Sequence, residues 1–568
     1  MSEETGERQA PRNNKRKRPK SFFQKAKKFQ KQGRFGMGYR LDEDTYAYFV
    51  RILETYKAGF ETDEDKNVFV NNVFMEMDGN EIDYSSNQIG CRVIETLMPF
   101  ASDEILQKFL TAFGESLRGL CSDRFASHIV EALLMESTKR SFSDKDGETY
   151  KKFSIKYSKF LLNNLEDYIK DTYGNHTLRA VLYALSGVPK TGEATEEEIE
   201  LPEEYTAILN DFGGRLVLWP HLKDLAYEEL PSGLLQVMLK VQSKVNPKLA
   251  RRYVKRFIEE SFVAEQVFVS KPCTMLLEAT LQYSTEEEYG ELHKKCFENK
   301  IAELALNRNT NYSVQRLLEF AKGKEVLEGI FVELDEKFKE ILEAGHPAVL
   351  QALGKACKNL GAKQGPYMNA MMKAFDCHEP NERQSKFVMC MSRFKKYDDV
   401  VADAGNDLEK EILNIHGTVI LQHMLEFNKP IKLVNALFAM DATELQGLFS
   451  NSKGSHIIDT YFKSKWIGEK NKEKLIQKMQ GCYQQLASSK YGSRSFDALW
   501  EAASDKWKTT IMNELSSKDA AWSNSQFGKI IAFKVNLLLY KRNREEWKIN
   551  CGKPAKTKKD LVKDVLES

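Results

Sequence analysis

From about residue 87 onward the chain sets short apolar stripes against polar positions at helical rather than strand spacing. In "NRNTNYSVQRLLEF", residues 307–320, apolar or small residues stand at offsets 2, 3, 6 and 7 from Asn311: Ser313, Val314, Leu317 and Leu318. The same offsets from Ser127 in "DRFASHIVEALL" give Ile129, Val130, Leu133 and Leu134. At ~100° per residue these positions gather between about 200° and 340° of a helical wheel, whereas offsets 0 and 4 lie near ~0° and ~40°. Each stretch is therefore predicted to be a helix with an apolar packing face and a separate polar face. Strand-type alternation is sparse, so the expected class is all-α.

The stretch recurs as "NQIGCRVIETLM" at 87, "DTYGNHTLRAVL" at 171, "NIHGTVILQHML" at 414, "SNSKGSHIIDTYF" at 450 and "SKYGSRSFDALW" at 489. With weaker relatives included, the offset-0 residues fall at 91, 127, 175, 232, 274, 311, 347, 386, 418, 455 and 493, with a doubtful one at 529. Most of the spacings between them are 36 to 38 residues. That period predicts an α-solenoid of about eleven helical repeats stacked in an arc. The longest spacings coincide with polar, turn-rich insertions, "KRSFSDKDGETYKK" (139–152) and "SGVPKTGEATEEEIELPEE" (186–204). Gly90, Ala126, Gly174, Gly417, Gly454 and Gly492, each just before a trio, are read as marking the turn into its helix. The expected organisation is a basic disordered tail over 1–40, repeats over 41–185, an acidic loop over 186–204, further repeats over 205–545 and a charged tail over 546–568.

On each predicted helix, offsets 0 and 4 place two side chains one above the other, and offset 1 projects beside them. Offset 0 is Cys91, Ser127, Asn175, Asn311, Thr418, Ser455 or Ser493; offset 4 is Glu95, Glu131, Gln315, Gln422, Asp459 or Asp497. Offset 1 is Arg92, His128, His176, Tyr312, His456 or Arg494, all able to stack on a planar ring or pair with a phosphate. Two hydrogen-bonding positions and one stacking position suit an unstacked nucleobase, and one base per repeat explains the recurrence. Arg179, at offset 4 after Asn175 and His176, fits a phosphate better than a base edge. Pro347 and Ala348 leave their repeat without a stacking side chain, and Lys386, Phe387 and Cys390 form no readable trio.

Charge sharpens this reading. The net charge is only +2, yet residues 1–40 hold thirteen Lys and Arg against three Glu, leaving a net negative body. A segment this basic suits a polyanion, and Lys15, Arg16, Lys17, Arg18 and Lys20 in "KRKRPK" can serve as a nuclear import signal. No run approaches the ~18 apolar residues of a bilayer span, and the first twenty residues lack the apolar core of a secretory signal, so the protein is expected inside the cell with no membrane partner. Nine Cys stand singly, without a CxxC pair, and are expected as reduced thiols. Cys377, His378 and Cys390 come nearest to a metal cluster but match no ligand spacing, so no cofactor or metal is expected.

The trios resemble those of the Pumilio (PUF) repeat family, whose three-helix unit has this period and presents its trio from the second helix. By that resemblance Asn311 and Gln315 read a uracil edge with Tyr312 stacking, and Ser127 and Glu131 read guanine with His128 stacking. The basic start, "YFVRILE" at 48–54 and "VFMEMDGNEIDYSSNQIGCRVIE" at 73–95 are similar to a divergent nucleolar branch of the family acting in small-subunit ribosome assembly. The resemblance implies a curved or U-shaped array in the nucleus and nucleolus that binds precursor rRNA, single-stranded and in places structured. It also implies a role in 18S rRNA maturation beside pre-ribosomal small-subunit proteins, shielding a cleavage site near the 3′ end of 18S.

Two other classes compete. A protein-binding solenoid keeps the period and the apolar stripe but has no reason to keep Arg, His or Tyr at offset 1. A nuclease could use Asp398 and Asp399, but adjacent helical residues point ~100° apart and share one ion poorly. With no phosphate loop or metal-protease motif in the sequence, an enzyme is not expected.

Overall fold

The computed structural model describes residues 35–142, 147–191, 200–403, 408–517 and 520–549, with Ala26 and Gly33. The described residues are helical throughout apart from turns, with one isolated bridge between Gly38 and Asn87. No described helix is long and apolar enough to cross a membrane.

The trio stretches form α1 (Gln88–Leu97), α2 (Ala126–Arg140), α3 (Thr172–Ser186), α4 (Glu229–Val245), α5 (Lys271–Tyr283), α6 (Asn311–Glu319), α7 (Pro347–Leu360), α8 (Ile415–Leu425), α9 (Ser455–Lys463), α10 (Gly492–Ala502) and α11 (Gln526–Lys534). A typical repeat places a short helix before the trio helix and another after it, as Ile301–Leu306 and Lys324–Leu334 flank α6. The apolar stripe behaves as predicted: Val314, Leu317 and Leu318 of α6, and Ile129, Val130, Leu133 and Leu134 of α2, are all buried. Removing each such Leu from water contributes about 1.5–3 kcal/mol.

The chain divides into two units, residues 1–262 with 270–283 and residues 263–269 with 284–568. In the first, α1 to α5 pack each on the next; in the second, α6 to α11 do the same. The acidic insertion at 186–204 therefore falls inside the first unit rather than between blocks.

In most of these helices, α4 and α7 excepted, the local starting signal is a capping side chain four residues before offset 0. Asp123 Oδ1 accepts from Ala126 N at 2.7 Å, Asp171 Oδ1 from Gly174 N at 2.6 Å and Asn414 Oδ1 from Gly417 N at 3.0 Å. Asn87, Ser489 and Ser525 make the same bond to Gly90, Gly492 and Gly528. The acceptor satisfies an amide left over at the helix start, typically worth ~1 kcal/mol. The glycines serve a different purpose from the turn expected of them. A Cβ at Gly417 would collide with the Met391 carbonyl oxygen, and one at Gly528 with that of Trp522, so Gly lets the preceding short helix approach closely.

These two features correct the repeat register. Residue 529 has both the Ser525 cap and Gly528, and α11 packs on α10, so the doubtful repeat belongs to the row. Residue 386 does not: α7 packs directly on α8, and Phe387–Arg393 is the short helix before α8. That helix is buried at every residue, so its apolar run imitated a repeat motif. The row still holds eleven helices among the described residues.

The edges also differ from expectation. Met37 O accepts from Gln88 N at 2.9 Å, and Asn87 Nδ2 donates to Tyr39 O at 2.7 Å, so the end of the 1–40 segment is built into the first repeat. At the other end Trp547 is buried and donates Nε1–H to Val535 O at 2.8 Å, inside the stretch expected as a tail. The expected loop at 139–152 is shorter, because α2 runs to Arg140 and the next helix begins at Gly147. Lys15 to Lys20 lie outside the described residues.

Candidate nucleic-acid interface

Because the row helices stack in register, their trios follow one another along each unit. Offset 1 is the outward position: Arg92, His128, His176 and Arg494 are exposed and His456 is half-buried. Tyr312 is the clearest case, an aromatic ring left 63% exposed beside a well-packed helix. A large apolar ring held in water without covering a core is what a stacking platform requires.

Offset 0 differs from the sequence reading, which put it on the polar face. Cys91, Ser127, Asn175, Asn311, Thr418 and Ser455 are buried, and only Ser493 is half-exposed. Several of their polar atoms are spent on carbonyls just before or at the start of their own helix or on a neighbour, whereas Asn175 Oδ1 and Ser455 Oγ are buried without a partner. Asn311 Nδ2 donates to Arg308 O at 2.8 Å and Asn307 O at 3.0 Å, Asn175 Nδ2 to Ile169 O at 2.8 Å, and Thr418 Oγ1 to Ile415 O at 2.9 Å. Cys91 Sγ donates to Phe125 O at 3.2 Å. Small polar residues suit this place because they fill little volume and satisfy carbonyls that an apolar residue would strand.

Offset 4 does rise over offset 0 as expected. Gln315 Nε2 donates to Asn311 Oδ1 at 2.8 Å, and Gln422 Nε2 to the Thr418 carbonyl at 3.1 Å. The carboxylates at this offset are held by basic groups. Arg92 pairs with Glu95 on the same helix at 2.8 Å. Arg494 of α10 reaches back to Asp459 of α9 at 3.0 Å, and Lys534 of α11 to Asp497 of α10 at 2.9 Å. Glu131 meets Lys190 at 3.3 Å; burial raises its carboxyl, against the opposing pull of Lys190. Arg179 stands apart, donating to His176 Nδ1 at 3.0 Å. Burial and the nearby Arg179 charge lower the His176 imidazole, which favours its neutral form.

One set of residues escaped the sequence reading. Three positions before offset 0 stand Arg124, Lys271, Arg308 and Lys490, all exposed. They sit just past the capping residue, where the chain turns into the row helix, and give a basic flank to four trios. The recurrence of a cation at this offset was available in the sequence.

Among the described residues no group of three or more His, Cys, Asp or Glu is placed to hold a metal ion, and eight cysteines carry free thiols. Asp398 points into solvent and pairs loosely with Arg383 at 3.7 Å.

The family model of the NOP9-like PUF repeat domain matches residues 79–200 and 189–530, which together span most of the chain. The chain belongs to this family. Nucleolar protein 9 of Homo sapiens is 25% identical over 585 residues, covering 93% of this chain and 91% of the relative. Pumilio homolog 23 of Arabidopsis thaliana is 22% identical over 573 residues, covering 93% and 75% respectively. The solved structure of APUM23-GGAUUUGACGG covers 90% of this chain and 99% of its own at a TM-score of 0.71 and 20% identity, so the two share the repeat fold. As a NOP9-like PUF-repeat protein, the chain is a nucleolar RNA-binding protein.

Proposed function

We propose that this protein binds precursor rRNA along its trio row and takes part in 18S rRNA maturation and small-subunit assembly, shielding a cleavage site near the 3′ end of 18S. The observation that carries the reading is the run of exposed stacking side chains, with Tyr312 above all, each beside an offset-4 group that hydrogen-bonds. In this assignment Tyr312 stacks on a uracil whose edge meets Gln315 and Asn311, while Ser127, His128 and Glu131 take a guanine. Cys91 with Arg92 and Glu95, Thr418 with Gln422, Ser455 with His456 and Asp459, and Ser493 with Arg494 and Asp497 form further base sites. Asn175 and His176 stand with Arg179 as a site where the guanidinium turns recognition toward phosphate.

Ion pairs between successive repeats shape the energetics. A base that pairs with Asp459 must displace or share Arg494, whose guanidinium is exposed while the Asp459 side chain is largely buried, so binding exchanges one partner of that carboxylate for another. The flanking Arg124, Lys271, Arg308 and Lys490 set the backbone in register. The family membership and the APUM23-GGAUUUGACGG likeness support single-stranded RNA in this groove.

The test is ultraviolet crosslinking of the protein in growing cells, followed by sequencing of the attached RNA. Reads concentrated around the 3′ end of 18S in its precursor are expected. Reads spread over messenger RNAs, or over mature rRNA without that peak, refute the assignment.

A further inference from the structure

The repeats of α4 and α5, whose offset-1 residues are Gly233 and Met275, line an open cavity in the first unit. It measures about 760 Å³ and lies among α3, α4 and α5, walled by Arg179, Tyr183, Gly233, Lys240, Lys271 and Tyr283, with further residues of the same helices. Three cations line it against the single carboxylate of Glu229.

Its shape follows from one substitution in the repeat pattern. Offset 1 of α4 is Gly233, with no side chain, where six of the other row helices carry Arg, His or Tyr. A Cβ built there would stand 3.1 Å from Arg179 Nη1, so the guanidinium of the preceding repeat occupies the place of the missing side chain. The two departures from the pattern, Arg at offset 4 of α3 and Gly at offset 1 of α4, are thus complementary. The guanidinium is steadied by His176, and its Nε is buried without a hydrogen-bond partner. Further round the wall, Lys240 Nζ sits 5.6 Å from the centre of the Tyr183 ring while donating to Pro189 O at 2.8 Å. Met275, the offset-1 residue of α5, is 46% exposed. Gln236 Nε2 is spent on Ser232 Oγ at 3.2 Å.

A planar cation, two phenol rings and two ammonium groups around a space this large exceed what the edge of one base needs. We propose that this cavity takes up a single unstacked nucleotide of the bound RNA whole, its base against Arg179 and the tyrosines and its phosphate toward Lys240 and Lys271. Guanidinium and aromatic planes accept any base face, and the ammonium groups answer the phosphate charge. The α4 and α5 repeats then hold the strand by insertion rather than by trio readout. This inference rests on the RNA-binding reading above, and its test separates the two.

The probe is the RNA most enriched from a random pool by the full chain, together with copies made abasic at each position in turn. Binding is measured at one salt concentration for the native protein, Gly233→Leu, Lys271→Gln and Tyr312→Ala. Gly233 has an ordinary helical conformation and its nearest obstacle is the movable end of Arg179, so leucine there fills the cavity without breaking the backbone. For the native chain, one abasic position assigned to the cavity costs at least ~5-fold in affinity. Gly233→Leu loses that sensitivity while keeping the position that Tyr312→Ala loses, and Lys271→Gln lowers the salt slope by about one. If Gly233→Leu and Lys271→Gln leave both the abasic profile and the salt slope unchanged while Tyr312→Ala alters the profile, the cavity assignment fails and the RNA reading stands. If the native chain retains no RNA, both fall. Tight binding of free AMP or GMP that Gly233→Leu abolishes, with RNA binding untouched, assigns the cavity to a free nucleotide and overturns the proposal.

Discussion

Tyr312→Ala is the cleanest single perturbation of the row, and the structure explains why it is preferable to emptying the whole trio. Asn311 is buried and donates two hydrogen bonds to the carbonyls of Asn307 and Arg308. Its replacement by Ala strands those groups, at about 1–3 kcal/mol of folding stability, and confounds any loss of binding. Gln315 is tied to Asn311 and shares the fault. Tyr312 is 63% exposed, so truncating its ring removes little buried area and is expected to change folding stability by no more than ~0.5 kcal/mol. A stacked base contributes roughly 1–3 kcal/mol, so the affinity for the selected RNA should fall about 5- to 150-fold. Fluorescence anisotropy at fixed salt gives the affinity, and thermal unfolding of the same samples gives the stability. An unchanged Kd with an unchanged melting curve refutes stacking at this position. A melting curve that drops with the affinity refutes the view that the ring is idle in the free protein.

Further outcomes are expected along the chain. Gly417→Ala should destabilise by about 1–3 kcal/mol through its clash with the Met391 carbonyl, whereas Gly329→Ala, which meets nothing within 4 Å, should be neutral or stabilising by up to ~1 kcal/mol; denaturant titration of both distinguishes close packing from helix propensity. His423 is held at about 4, below its ordinary 6.5, by burial first and by Lys358 next, with Glu426 opposing. Its unfolded form therefore binds the proton first, so stability is full above pH 6.5 and declines as pH falls toward 4; His423→Gln should flatten that decline in a pH series of melting curves. Removing residues 1–20, with seven Lys and Arg, should reduce the salt slope of RNA binding by up to ~5 and hinder nuclear entry, while a cut at residue 40 should also destabilise the first repeat by removing the partners of Asn87 and Gln88. Equal salt slopes before and after the shorter cut would place that segment off the RNA.

Periodicity made the helices and most of the row legible, because a stripe such as Val314, Leu317 and Leu318 has to face a core. What stayed hidden was where a small polar residue points. Asn311 and Thr418 look solvated in sequence, yet carbonyls just before or at the start of their own helices take up their donors, so they are buried with those donors satisfied. The false repeat at 386 has the opposite cause: Phe387–Arg393 is apolar enough to pass for a half-exposed stripe but is enclosed on all sides. Packing distinguishes the two cases, since α7 packs directly on α8 and leaves no place in the row for Phe387–Arg393; the cap does not, because α4 and α7 have Glu228 and Glu343 four residues before offset 0 and no side-chain cap. The division near residues 262–284 left no trace, because the helical pattern continues across it without a shift in composition. Arg179 was visible as a departure from the pattern but its complement Gly233 was not, and the structure joins the two across one gap of 3.1 Å.

The central claim is that individual trios choose individual bases. It is met most directly by selecting RNAs from a random pool with the native chain and with a variant carrying Asn311→Ser and Gln315→Glu, which gives α6 the residues found at Ser127 and Glu131. The account predicts two enriched motifs identical except at one position, where uracil becomes guanine. The same motif from both proteins, or no motif from either, contradicts it.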